Sequence, residues 1–395
     1  MTPLGLAELN HEPALVGARL MRWGGGRVVL ADALRELDLE DKTEAAPEGC
    51  QAGDFVAALV AIDAESGQGE CRSLRLLGRG SPAAQPSAVA PLRFRQAAAD
   101  AVRGYFRDKR FLEVHTPTFG VCPGLDPYVQ ALGSISGAAG AEYLMTSPEF
   151  FMKRLLASGV PRLFQLGSVF RAEELGPWHE PEFTLLEWYR AFEGLEALFE
   201  DTERLVCLVD EALREAGSAK PLQRALRIER PFSRMTVREV FRKYAGIADA
   251  SDYAAADPAA YFQTFVDQVE PRLAQVDGPL FLTEFPAAQA ALARLSPTDP
   301  SVALRFELTL GGVELCNGYD ELTDPSEQRS RFERELARRA ASGEARYPLD
   351  ERFLEALGLG MPPAAGNALG LERLLAVLSG APGIESFYAF PARAH

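Results

Sequence analysis

Three groups of residues in this 395-residue chain carry more chemistry than a solvated surface needs. Between Ser168 and Tyr189 the stretch SVFRAEELGPWHEPEFTLLEWY places Arg171, Glu173, His179, Glu180 and Glu182 around an alternating run of Phe183, Leu185, Glu187 and Tyr189. Further on, Glu307 and Glu314 stand seven apart, followed by Asn317 and Glu321, and GNALGLERLL sets Gly366 and Gly370 ahead of Arg373. Planar guanidinium forks suit phosphate oxygens, carboxylates suit a hard cation, and a glycine-rich helix start suits an anion. These are the residue types that a nucleoside triphosphate with Mg²⁺ requires. Arg171, Glu173 and Glu187 alone also fit a ladder of ion pairs on a strand face, and Glu307 and Glu314 solvated strand positions, so the inference rests on the combination.

The elements that position them are readable from periodicity. RLFQLGSVFRAEE and EFTLLEWYRAF are strand-like runs around the Gly176–Pro181 turn, and ALRFELTLGGVELCNGYDEL is a hairpin turning at Gly311 and Gly312. SPEFFMKRLLASG reads as a helix with Ser147 as cap, Pro148 at its first position and Gly159 after its last turn. RFRQAAADAVRGYFRDKRF has helical spacing, FLEVHTPTF reads as a strand stopped by Pro117, and Gly366 and Gly370 open an apolar helix. Hairpins with helices segregated around them indicate an α+β domain.

Ahead of these lies a different block. ALVGARLMRW, GRVVLADAL, GDFVAALVAI and CRSLRLLGRG are short strand-like runs between turns, which predicts a small OB-like β domain over 1–85. The acidic run ELDLEDKTEAAPE inside it reads as a solvated loop. A Pro- and Ala-rich linker follows at 86–92, and the catalytic domain spans 93–395. Residues 1–80 hold eight Lys or Arg against thirteen Asp or Glu, and the whole chain carries a formal charge of −15; neither favours binding of nucleic acid mainly through phosphate neutralisation. Five scattered cysteines without a C-x-x-C pair indicate a reducing compartment, and no run is apolar enough to cross a membrane; the expected location is cytoplasmic.

From about Arg93 to Phe390 the sequence resembles the catalytic domain of class II aminoacyl-tRNA synthetases of the lysine, aspartate and asparagine group. FLEVHTPTF is similar to motif 1, FRAEE with HEPEFTLLEWY to motif 2 and GNALGLERLL to motif 3, and ELCNGYDELTDPSEQRSRF looks lysine-specific. Ser147, Ala368 and FPAAQAALARLS resemble the lysyl-tRNA synthetase paralogues that modify elongation factor P, where true synthetases have Ala and Gly at the first two places. Ala172 and Glu180 depart from the Asn residues usual in motif 2, and the N-terminal block is itself a departure from those paralogues.

The resemblance implies that ATP and Mg²⁺ are used to activate α- or (R)-β-lysine as the adenylate, followed by transfer to a lysine side chain of elongation factor P. It assigns Arg171 and Arg373 as catalytic. ATP contacts fall on Arg171, Glu173, His179, Glu180, Phe183, Glu314, Asn317, Gly370 and Arg373, with Phe183 and Arg373 sandwiching the adenine. Mg²⁺ falls to Glu307 and Glu314; the lysine falls to Ser147, Glu149, Glu187, Tyr189, Glu321 and Ala368. A homodimer is implied through motif 1. The rivals are a lysyl-tRNA synthetase with a reduced anticodon domain and a silent lysine- or ATP-binding paralogue.

Overall fold

A computed structural model describes residues 13–31, 36–43, 50–63, 66, 68–80, 90–127, 129–137, 140–172, 175–217 and 227–392. The chain forms two compact units, Met1–Arg93 and Phe94–His395. The first is a closed barrel of β1 (Ala14–Gly24), β2 (Arg27–Ala31), β3 (Glu36–Asp41), β4 (Phe55–Ile62) and β5 (Gly69–Gly78), in the order β1-β2-β3-β5-β4. Val16, Ala18 and Leu20 alternate inward along β1, and Val28, Leu30, Val56, Ala58, Val60 and Cys71 complete the interior. The acidic run read as a solvated loop is corrected at its start: Glu36–Asp41 is a strand. Its Leu37 and Leu39 turn inward while Glu36, Asp38 and Glu40 face solvent, so the alternation outweighs the charge.

Helix α1 (Ala90–Asp108) begins inside the segment read as linker, and most of it belongs to the second unit. There follow β6 (Leu112–Glu113), a small sheet of β7 (Phe119–Gly120), β8 (Ser134–Gly137) and β9 (Gly140–Leu144), then α2 (Glu149–Ala157), β10 (Arg162–Phe170), β11 (Glu182–Ala191) and α3 (Leu195–Glu215). Next come β12 (Ser233–Thr236), the short helices α4 (Val237–Ala245), α5 (Ala250–Ala256), α6 (Pro258–Thr264) and α7 (Glu270–Leu273), and the strands β13 (Leu280–Pro286), β14 (Val302–Leu310) and β15 (Val313–Asp320). The chain closes with α8 (Pro325–Ser342), α9 (Glu351–Leu359), β16 (Ala364–Gly370) and α10 (Leu371–Ser379).

Eight strands form one sheet in the order β12-β13-β14-β15-β16-β11-β10-β6, antiparallel except at its ends, where β12 runs parallel to β13 and β6 to β10. Helices α1, α3 and α10 bury one apolar cluster against it, with Phe106, Trp188, Leu205, Phe306 and Leu375 at the centre. A second cluster joins α2, α8 and α9 through Phe150, Phe332 and Phe353 to Tyr189 and Ala191. The fold is therefore the α+β arrangement expected from the hairpin pattern. The β14–β15 turn is made by Gly311 and Gly312, whose φ values of 62° and 84° demand residues that adopt the left-handed region freely.

Three local expectations shift. Within FLEVHTPTF the strand is broken into Leu112–Glu113 and Phe119, because after Val114 the pairing passes to a side chain: the Thr116 N–H donates to Gln165 Oε1 at 2.8 Å. Helix α2 starts at Glu149 with Pro148 at the cap position, one residue later than read. Gly366 lies in strand β16 rather than in a helix start, and only Gly370 caps α10.

Candidate active site

Strand β11 is the floor of a cavity of about 360 Å³. Its period of two sends Phe183, Leu185, Glu187 and Tyr189 into the cavity, while Leu186 and Trp188 enter the helical core behind. Its neighbours on the sheet complete the walls. Ala368 on β16 stands in register between Glu187 of β11 and Asn317 of β15. Gly366, beside it, leaves room that a side chain would take: a Cβ there would lie 2.3 Å from the Tyr189 ring and 2.6 Å from Glu321 Oε1.

The inner end of the cavity is anionic. Glu187 is buried and accepts hydrogen bonds from Ser147 Oγ and Tyr189 Oη, both at 2.7 Å. Ser147 Oγ in turn accepts from the Glu149 N–H at 3.1 Å, so one hydroxyl serves the start of α2 and the pocket together. Glu149 and Glu321 face the same space, and between them lies Lys153, wholly buried, with Nζ 2.5 Å from Glu149 Oε1 and 2.5 Å from Glu321 Oε2. Among the described residues, Glu321 Oε1 has no hydrogen-bonding partner. Burial pushes the carboxyls of Glu187 and Glu321 up to about 8, against the pull of Lys153. Glu149 also rises through burial, with Lys153 opposing.

The other end is cationic. Arg373 lines the cavity with Nε donating to the Trp178 carbonyl at 3.1 Å and Nη1 to the Glu314 carbonyl at 3.2 Å. The Arg171 guanidinium lies over the Phe183 ring at 5.1 Å. His179 pairs with Gly176 in a narrow turn, and Glu180 Oε2 accepts from the Ala392 N–H at 3.1 Å. Glu173 lies outside the described residues.

Between the two ends, Glu307 and Glu314 project from β14 and β15. Glu314 is exposed, whereas Glu307 accepts from Arg305 Nη2 at 2.6 Å. Burial pushes the Glu307 carboxyl up to about 7, with Glu314 adding to the rise and Arg305 opposing it. Arg305 also donates to Asn317 Oδ1 at 3.1 Å and to the Gln289 carbonyl at 2.8 Å, and its guanidinium lies over the Phe285 ring at 4.4 Å. Among the described residues no group of three or more His, Cys, Asp or Glu could hold a resident metal. A pair of carboxylates beside an open cleft does suit an ion that arrives with phosphate ligands of its own.

Every described residue expected in the site lines this one cavity: Ser147, Glu149, Arg171, His179, Glu180, Phe183, Glu187, Tyr189, Glu307, Glu314, Asn317, Glu321, Ala368, Gly370 and Arg373. Lys153 and Arg305 were not foreseen. Lys153 follows Glu149 by four residues, a spacing that signals a helix pair but not its burial.

This sheet, with arginines at one end of its cleft and carboxylates at the other, defines an enzyme of the adenylate-forming synthetase type. Residues 74–394 match the family of class II tRNA synthetases (D, K and N), and the chain belongs to it. Among its relatives, the elongation factor P–(R)-beta-lysine ligase of Erwinia tasmaniensis is 40% identical over 323 residues, 78% of this chain and 96% of that protein. The ligase of the same name from Proteus mirabilis is 39% identical over 318 residues, covering 78% and 97%, and that from Vibrio cholerae 36% over 329 residues, covering 77% and 96%.

Proposed function

We propose that the protein activates a lysine, α- or (R)-β-, as its adenylate and transfers it to a lysine side chain of elongation factor P. The observation that carries the reading is the polarity of the cavity: three buried carboxylates at one end, Glu149, Glu187 and Glu321, and Arg171 with Arg373 at the other. A diamino acid enters with its ammonium groups inward and its carboxylate toward the arginines. The names of the relatives support the acceptor.

In the first step a carboxylate oxygen of the amino acid attacks the α-phosphorus of ATP, and the bond to the β-phosphate breaks to release pyrophosphate. The attacking carboxylate is already ionised at neutral pH, so this step needs placement and charge stabilisation rather than a general base. Arg171 holds the carboxylate against the α-phosphate, and Arg373 faces the nucleotide, with Phe183 beside the adenine. His179 and Glu180 border the triphosphate, and Gly370 lets α10 approach it. Glu307 and Glu314 would hold Mg²⁺, which, when bound, offsets charge on the phosphates; Asn317 and Arg305 orient Glu307. In the second step the acceptor amine, having given up its proton to solvent, attacks the adenylate carbonyl; the amide bond forms as the bond to phosphate breaks, and AMP leaves.

Glu187, braced by Ser147 and Tyr189, meets one ammonium together with Glu321; Glu149 meets the other, and Ala368 limits the shape between them. A substrate lacking an ammonium leaves a buried anion unpaired, which costs several kcal/mol. The scattered cysteines support a cytoplasmic enzyme, and the half-exposed Leu112 on edge strand β6 supports a homodimer. Amino-acid-dependent pyrophosphate exchange tests the reading. Exchange with α-lysine or (R)-β-lysine and none with norleucine is expected; exchange with neither lysine sinks it.

A further inference from the structure

Lys153 takes no part in the chemistry above, yet it has no exposed surface and does not line the cavity. A fully buried ammonium is tolerated only when paired, and here it is paired twice, with Glu149 and with Glu321. The third carboxylate, Glu187, is met by two hydroxyl donors and no cation. Among the described residues, the surroundings add no further free positive charge at this end. Arg305, from β14, is engaged by Glu307, and the phenols of Tyr189 and Tyr319 are held neutral by burial. Strand β16 contributes only Gly366, Asn367 and Ala368, and Asp126 at the wall is another acid. With Glu149, Glu187 and Glu321 ionised, these three carboxylates therefore carry two negative charges more than Lys153 can match, before the charge of Asp126 at the wall is added.

We propose that Lys153 is a resident counter-ion that fixes the deficit of these three carboxylates at two, so that they are matched only by two substrate ammonium groups, or by protons in their place. This rests on the lysine reading and adds to it a specific exchange: the substrate displaces protons. The carboxyls raised to about 8, Glu187 and Glu321, are the groups that hold those protons in the empty pocket near neutral pH. A monoamino analogue fills one of the two vacancies and leaves one carboxyl protonated. Its disadvantage against lysine therefore grows with pH by roughly tenfold per unit, below pH 8 because lysine displaces one proton more and above it because the analogue's complex must keep one.

Titration calorimetry of the full chain in buffers of different ionisation heat counts the protons. Lysine is expected to release about two at pH 7, and norleucine about one. In Lys153→Met the deficit becomes three, so the lysine complex keeps one protonated carboxyl and weakens roughly tenfold per unit above pH 8, where the native protein holds level. Should that variant fail to fold, the proton counts on the native protein stand alone. Lysine that binds with release of fewer than one proton overturns the counter-ion proposal and leaves the lysine reading intact. A protein that does not bind lysine overturns both.

Discussion

At the scale of single residues, the pocket trades stability for selectivity. Glu187 is a buried acid held by two hydroxyls, its carboxyl raised by burial from 4.5 to about 8. The folded protein therefore binds more protons than the unfolded chain between those values, and the contribution of this group to stability falls as pH rises through that window and levels off above it. Glu187→Gln keeps the shape and removes the titration. It is expected to raise the melting temperature of the free protein at pH 8 and to lower lysine-dependent exchange by about a hundredfold or more, because an ammonium loses its anion in a dry site. Melting curves and exchange rates on the same preparation check both. An unchanged exchange rate contradicts the assignment of Glu187 to an ammonium group. The glutamates were legible because they alternate with Phe183 and Tyr189 along one run. Lys153 was not legible: Glu149 and Lys153 four residues apart look like any exposed helix pair, and only packing against α8 and α9 takes them out of water.

Elements hold these residues through a few close approaches. Gly366→Ala would push a methyl group into Tyr189 and Glu321, so its predicted effect is a KM for lysine raised tenfold or more with the KM for ATP nearly unchanged; equal changes in both would count against the cavity's polarity. Behind the floor, Arg95 of α1 donates to Thr184 Oγ1 of β11 at 2.5 Å and pairs with Glu372 of α10, whose second oxygen accepts from the Thr184 N–H at 2.9 Å. Arg95→Met leaves the buried Glu372 with one partner fewer, and a loss of roughly 1–3 kcal/mol in denaturant unfolding is expected. The β10–β11 and β14–β15 hairpins were readable because turns and alternation agree there. The misplaced boundaries have physical causes that single residues do not announce. A glutamine side chain takes over the pairing at Thr116, and the glycine-rich GNALG run serves a strand at Gly366 before it caps a helix at Gly370. The strand at Glu36–Asp41 was hidden by its acidity, because every second residue is free to be charged when the barrel buries only Leu37 and Leu39.

For the molecule as a whole, the division into two units has a consequence for activity. Every residue lining the cavity lies at or beyond Asp126, within the second unit. A chain beginning at residue 90 is thus expected to keep lysine-dependent pyrophosphate exchange within about twofold of the full protein, provided its melting temperature shows it folded; a loss beyond tenfold in a folded truncation would mean that the barrel contributes to the site. Four of the barrel's five strands were evident in the sequence, but its role was not, because a five-stranded barrel carries no residue pattern tied to one ligand. The acceptor is the central claim, and one measurement tests it most directly: incubation with Mg²⁺-ATP and labelled α-lysine or (R)-β-lysine, offering elongation factor P and total tRNA in parallel. Label on a lysine side chain of elongation factor P, with tRNA unlabelled, is the predicted result. Label on tRNA alone would contradict the account and make the protein a lysyl-tRNA synthetase.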